Sequence, residues 1–311
     1  MNRRQFLATA ALAAAPFARA DKTLTQALAK TKFTQYAKAK GYCEGPTWMD
    51  GDVFFCSDGL LRVDKAGKVH RHADLAPAGT LRGRDGALLI CDNKHKAILR
   101  LTRKGRLEVL AEKFDDKPLR SLNDLTIDSR GNLFWTDPVN SSLKNRTGHV
   151  FRLRTDGRVD RAATGMAFPN GLDVDPAGKN LFVIESITKK ILRFPLRADG
   201  TLGQPVLFYN LGGSGGDGCA FDATGNLWVA DFHRPETKRG RLTVLSPAGK
   251  LLGTLNSPAR SLTNLTFGGP KLDELFCTTD TPNGVMHAKV GIRGFPGHPD
   301  RPMKVQRVVS E

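Results

Sequence analysis

The feature that most restricts what this chain can fold into is a repeat. Four polar residues, Asn123, Asn170, Asp217 and Asn264, stand 47 residues apart, and each opens the same phrase. The phrase is a polar residue, a short apolar strand, a Gly-containing turn and a second apolar strand that tends to end on an acid. Its fullest copy runs from Asn170-Gly171 through Gly178 to Leu181-Phe182-Val183-Ile184-Glu185. Glu44 leads an earlier copy. It precedes Asp58 by 14 residues, as Asn123 precedes Asp137 and Asp217 precedes Asp231. One further copy is compressed: its strand Ala87 to Asp92 puts the leading position near Ala78, which carries no donor.

Six copies, each with about four short strands and Asp-Gly or Asn-Gly turns, predict an all-β, six-bladed β-propeller. A single repeat cannot bury both faces of its sheet, so radial closure is what makes the units stable and leaves only short strand edges. The expected division is a signal at 1–20, a lead-in at 21–40 with a short helix near 24–29, the propeller at 41–295, and a tail or closing strand at 296–311. Either the segment before Glu44 or the C-terminal strand completes the last blade; the repeat alone does not choose.

The N-terminus reads Asn2-Arg3-Arg4-Gln5-Phe6-Leu7, an alanine-rich apolar run, then Ala18-Arg19-Ala20. Paired arginines before a mildly apolar stretch and an Ala-x-Ala ending predict a twin-arginine export signal, and hence a periplasmic or secreted protein handled by that machinery. No other stretch is long and apolar enough for stable membrane insertion. The formal net charge of +16 invites a nucleic-acid reading. The lysines and arginines are scattered without interleaved aromatics, however, so solvated strand edges are the plainer account and no nucleic-acid partner is expected. Five cysteines without C-x-x-C spacing give no zinc or thioredoxin signal, and most read as small buried hydrophobes.

In a radial array, equivalent positions form a ring around the axis. The leading ring reads Glu44, Ala78, Asn123, Asn170, Asp217, Asn264, with oxygen donors at every place but one. Asn and Asp before Gly also cap turns by bonding their own backbone, and at any single position that role is as good. Five oxygen donors at equivalent places favour a cation at the channel mouth. Oxygen-only donors suit Ca²⁺ first, with Mg²⁺, Mn²⁺ or Zn²⁺ as alternatives.

At these residues the chain resembles the SMP-30/gluconolactonase/luciferin-regenerating-enzyme family. The resemblance is carried by Glu44-Gly45-Pro46, Pro169-Asn170-Gly171, Gly216-Asp217-Gly218 and Thr263-Asn264-Leu265-Thr266-Phe267. It implies a six-bladed propeller with one axial divalent cation bound by Glu44, Asn170 and Asp217, and Asn123 as a fourth ligand or a substrate contact. It also implies hydrolysis of lactones or related esters, with the cation polarising the reacting oxygen and Asp217 as base or nucleophile. Sugar-lactone members carry an arginine two residues before the third-repeat asparagine. Here Ser121 stands there with Arg120 beside it, so these two and Asn264 are the expected substrate contacts. His233 and His287 are histidines that could approach the mouth, although a structural role is the commoner one. The competing expectation is a non-catalytic binding propeller stiffened by its cation; a quinone-dependent dehydrogenase on the same scaffold is remote.

Overall fold

The computed structural model describes residues 24–83 and 85–309. The export signal at 1–20 lies outside the described residues. The chain is a six-bladed β-propeller, each blade built on four antiparallel strands, with a fifth added at the edge of blade two. The six first strands are Glu44–Met49, Pro77–Arg82, Leu125–Ile127, Pro169–Val174, Gly216–Phe221 and Ser261–Gly268.

Alternation along the strands explains the cores. In blade one Phe54 packs toward blade two and its neighbour Phe55 toward blade six. In blade three Phe134 faces blade four while Trp135 faces blade two. Successive side chains of a strand point to opposite faces, so a strand buried on both sides must be apolar at every position. The result is six apolar clusters, one at each junction between neighbouring blades. The hairpins between first and second strands are held by their own aspartates: Asp128 Oδ1 accepts the N–H groups of Arg130 and Asn132, and Asp222 Oδ1 those of Thr224 and Asn226.

The N-terminal segment closes the ring. Thr34–Lys38 pairs antiparallel with Gly284–Lys289 as the outermost strand of blade six, and the 24–30 helix buries Leu24 and Leu28 against the core between blades five and six. The C-terminal segment does something else. It crosses beneath the propeller as a strap and ends by pairing Arg307–Val308 with the outer strand Leu107–Ala111 of blade two, which therefore has five strands. On the way it lends one apolar residue to each of four junctions: Ile292, Phe295, Met303 and Val309. His298 Nε2 lies 2.8 Å from the Asp175 carbonyl oxygen.

Candidate functional site

The leading residues sit where the innermost strands leave regular pairing. The ladder between first and second strand shifts register between Glu44 and Thr47, Pro77 and Gly79, Pro169 and Leu172, Gly216 and Cys219, and Leu262 and Asn264. Such bulges re-aim side chains, and here they fall at the leading position of five blades. The carbonyls freed from the ladder are taken up by hydroxyls of a neighbouring blade. Thr80 Oγ1 donates to Gly45 O at 2.6 Å, Thr136 Oγ1 to Asn170 O at 2.7 Å, Ser186 Oγ to Gly216 O at 2.7 Å and Thr263 Oγ1 to Cys43 O at 2.6 Å. The leaders are thereby fixed by the blades beside them.

Glycine follows the leader in four blades, because the next innermost strand passes too close for a side chain. A Cβ on Gly171 would lie 2.3 Å from the Asp217 carbonyl oxygen, and one on Gly218 would lie 1.9 Å from Asn264 Oδ1. Blade three breaks this pattern with Asp124, whose buried carboxylate turns into the channel and accepts the Asn264 Nδ2–H at 3.1 Å.

At the mouth, Glu44 of blade one and Asp217 of blade five meet. The Tyr42 hydroxyl is 3.3 Å from Glu44 Oε1 and 3.4 Å from Asp217 Oδ2. The Asn170 carboxamide lies beside Asp217, and its Nδ2–H reaches Ser186 Oγ at 3.2 Å. Asn123 is half-buried, its backbone N–H bonded to Thr136 O at 3.0 Å. Asn264 is brought to the channel with its carboxamide already engaged, Oδ1 by the Leu265 N–H and Nδ2 by Asp124. Ser121 is half-buried and Arg120 exposed on the rim of blade three. Their backbone N–H groups and the Arg120 guanidinium oppose the rise that burial imposes on the Asp137 carboxyl.

The histidines divide. His233 lies on the blade-five rim, its Nδ1 3.4 Å from the Arg260 carbonyl oxygen. His287 does not approach the mouth: it is on the third strand of blade six, 2.6 Å from Glu274 Oε2 and packed against Tyr36 and Phe276. That is the structural role anticipated for a lone histidine.

The electrostatics of the mouth are dominated by carboxylates. Burial raises Asp217 to about 7, the charge of Asp124 pushes the same way, and contacts from Tyr42, Asn170 and Glu44 pull it down. Glu44 is raised well above its ordinary value by burial, then by Asp217 and Asp124. Asp124 is raised to about 6 by burial, against the hydrogen bonds it accepts from Leu125 N–H and from Asn264 Nδ2–H. Three acids share one narrow space, and the charges of Asp217 and Asp124 act on Glu44 there. Among the described residues no three His, Cys, Asp or Glu side chains converge closely enough to hold a metal between them. The converging set is Glu44, Asp217 and the Asn170 carboxamide. Hard oxygens of this kind, two of them on carboxyls whose charged forms burial disfavours, fit a Ca²⁺-like cation.

A family model described as the SMP-30/Gluconolactonase/LRE-like region matches residues 42–281. The chain belongs to this family. It is 29% identical to a gluconolactonase of Zymomonas mobilis over 268 residues, covering 73% of each chain. It is 28% identical to the pentonolactonase XacC of Haloferax volcanii, covering 76% of this chain and 80% of that one. The solved structure of XC5397 from Xanthomonas campestris, described as a gluconolactonase, superposes with a TM-score of 0.72 at 24% identity, over 84% of this chain and 90% of that one. The SMP-30/gluconolactonase/LRE-like fold therefore accounts for the repeat and for the mouth that the repeat builds.

Two residues of that mouth escape repeat counting, Asp124 and Tyr42. Asp124 had a signal, as the one polar exception where the other blades carry glycine or, in blade six, Leu265. Tyr42 had none, since it belongs to the crossover from blade six into blade one.

Proposed function

We propose that this protein hydrolyses lactones or closely related esters at the channel mouth, with a divalent cation, Ca²⁺ first, held by Glu44, Asn170 and Asp217 and with Asn123 as a fourth oxygen donor. The observation that carries the reading is the meeting of Glu44 and Asp217, from blades one and five, on a single phenol oxygen. The lactonases among its relatives supply the reaction class. When bound, the cation polarises the acyl oxygen and stabilises the charge that develops there.

The chain's own residues supply the rest. Asn170 and Glu44 orient Asp217, and Asp217 either takes a proton from the attacking water or attacks the acyl carbon itself. In both routes the acyl–oxygen bond of the ring breaks and the leaving oxygen takes up a proton; in the second, water then cleaves the anhydride between Asp217 and the acyl group, so that both end in a hydroxy acid and a free Asp217 carboxylate. Burial keeps bulk water from competing for the reacting oxygen. A pH-indicator assay on a panel of lactones, with Ca²⁺ and after chelation, tests the proposal. The expected result is cation-dependent turnover by the wild type and none by Asp217→Asn with an unchanged circular dichroism spectrum. Wild-type rates in that variant would remove Asp217 from the reaction. Cation-dependent melting without turnover on any substrate would favour a binding propeller. After a single turnover in ¹⁸O-water, label in Asp217 would identify it as the nucleophile, because a general base acquires none.

We also propose that the chain is exported in its folded state by the twin-arginine route. The paired arginines motivate this, and the five thiols, all free and buried, would enter an oxidising compartment already shielded. Replacement of Arg3 and Arg4 by lysine should leave the protein in the cytoplasmic fraction.

A further inference from the structure

We propose that Tyr42 is a substrate-contacting residue of the mouth, whose phenol O–H donates a hydrogen bond to the reacting oxygen of the bound lactone or ester. This rests on the hydrolase reading above. Tyr42 stands two residues before its leader, where the later copies carry Ser121, Phe168, Gly215 and Leu262, none of them a phenol. It lies in the crossover from the closing strand Thr34–Lys38 of blade six to the innermost strand of blade one, two residues before Glu44. Both sides of that crossover are pinned. Ala39 N–H donates to Asn283 O at 3.1 Å, Asn283 Nδ2 to Lys40 O at 3.2 Å, and Thr263 Oγ1 to Cys43 O at 2.6 Å. The next side chain, Cys43, is fully buried on the core side.

Tyr42 thus faces the channel on an anchored backbone. It remains 49% exposed, one of the largest exposed apolar side chains among the described residues, while its hydroxyl reaches across to blade five. Ring outward and hydroxyl inward is the posture of a residue that meets an incoming molecule. The bonding is also incomplete. A phenol has one O–H, and here it stands between two carboxylates at 3.3 and 3.4 Å, both long for an O–H···O contact. It donates to one of them at a time. Carboxylate oxygens turned toward a cation leave this donor to the substrate, beside the atom on which charge develops. A phenylalanine would pack equally well and donate nothing, so the hydroxyl can be tested apart from the ring.

The test compares the wild type with Tyr42→Phe and Tyr42→Ala as full-length mature proteins. Three quantities are read: kcat and KM on a lactone that the wild type turns over, Ca²⁺ affinity by calorimetry, and affinity for the corresponding unreactive lactam. The expected result for Tyr42→Phe is a fall in kcat/KM of about 10- to 100-fold. Lactam affinity should weaken, while Ca²⁺ affinity and melting temperature stay at wild-type values. Tyr42→Ala should be no faster than Tyr42→Phe. Wild-type kcat/KM in Tyr42→Phe would overturn the proposal, as would a loss of Ca²⁺ affinity in step with kcat, which would make Tyr42 part of the cation site. An alanine variant faster than wild type would reduce the ring to a cover and overturn it also. A wild type inactive on the whole panel sinks the hydrolase reading first and this proposal with it, before any variant is compared.

Discussion

Stripping the divalent cation should destabilise the protein far more at pH 8 than at pH 5. Asp217 is raised from 3.8 to about 7 and Asp124 from 3.8 to about 6, with Glu44 displaced in the same direction. A carboxyl whose folded pKa lies above its unfolded value binds its proton more tightly when folded. Its contribution is complete below the unfolded value and is lost as pH rises through the folded one. Between pH 5 and pH 8 the shifts leave about two units for Asp217 and about one for Asp124, at 1.36 kcal/mol each, or about 4 kcal/mol. For a chain of this size about 1 kcal/mol moves the melting temperature by about 2 °C, so these two carboxyls should cost the cation-free protein about 8 °C over that range.

A bound cation replaces the missing protons as the counter-charge, and its stabilisation grows as the carboxylates ionise. Other groups titrate in the same range: buried Asp173, raised to about 6, acts with the same sign, as do the raised Asp137 and Asp231, while two histidines act with the opposite one. His72 and His149 are depressed by burial, which penalises the folded state at low pH and relieves it as pH rises through their unfolded value. Asp64 and Asp156, lowered by His70 and Arg158, lose their contributions only below about pH 4. All of these are common to the cation-loaded and cation-free forms, so the difference between the two melting curves isolates the mouth. Calorimetry in saturating Ca²⁺ and after chelation should give a gap that widens by about 8 °C between pH 5 and pH 8. A gap of constant size, or one that closes with rising pH, would refute the claim that buried carboxylates at the mouth await a cation.

Two further outcomes are expected. Gly171→Ala puts a methyl 2.3 Å from the Asp217 carbonyl oxygen and 2.7 Å from Gly218 Cα, both backbone atoms, so the Asp217 strand must shift. Ca²⁺ affinity by calorimetry should fall more than about tenfold alongside a lower melting temperature, whereas an unchanged affinity would mean that the strand spacing does not set the cation site. Ending the chain at Gly291 removes Ile292, Phe295, Met303 and Val309 from four junctions. At about 1 kcal/mol for each partly buried side chain the loss is about 4 kcal/mol, read as a melting point about 8 °C lower; an unchanged value would make the strap a passive tail.

The blade count was legible because closure imposes it. Leaders 47 residues apart and apolar strands of fixed length leave few other ways to bury both faces of every sheet. Glu44 was readable as a leader for the same reason, and because glutamate has no special turn role. Which terminus closes the ring was not readable. Thr34–Lys38 and Arg307–Val308 are both short strands with few apolar side chains, and each pairs through backbone groups that leave no mark in the side-chain pattern. The strap was equally hidden, since its contribution is single apolar residues spaced along a Pro- and Gly-rich segment without period.

At the mouth the limit lies in the bulges. A register shift of a single residue decides whether a side chain faces a neighbouring blade or the axis, and a period of 47 locates the position without saying which of two adjacent residues is turned inward. In blade four the answer is Asn170, because Gly171 has no side chain to offer. In blade three both Asn123 and Asp124 carry one, and it is Asp124 that the structure bonds across the channel to Asn264. That acid in place of glycine sets the charge of a third carboxylate against Glu44 and Asp217. The same close approach that demands glycine in four blades therefore sets the charge of the mouth in the one blade where an acid takes its place.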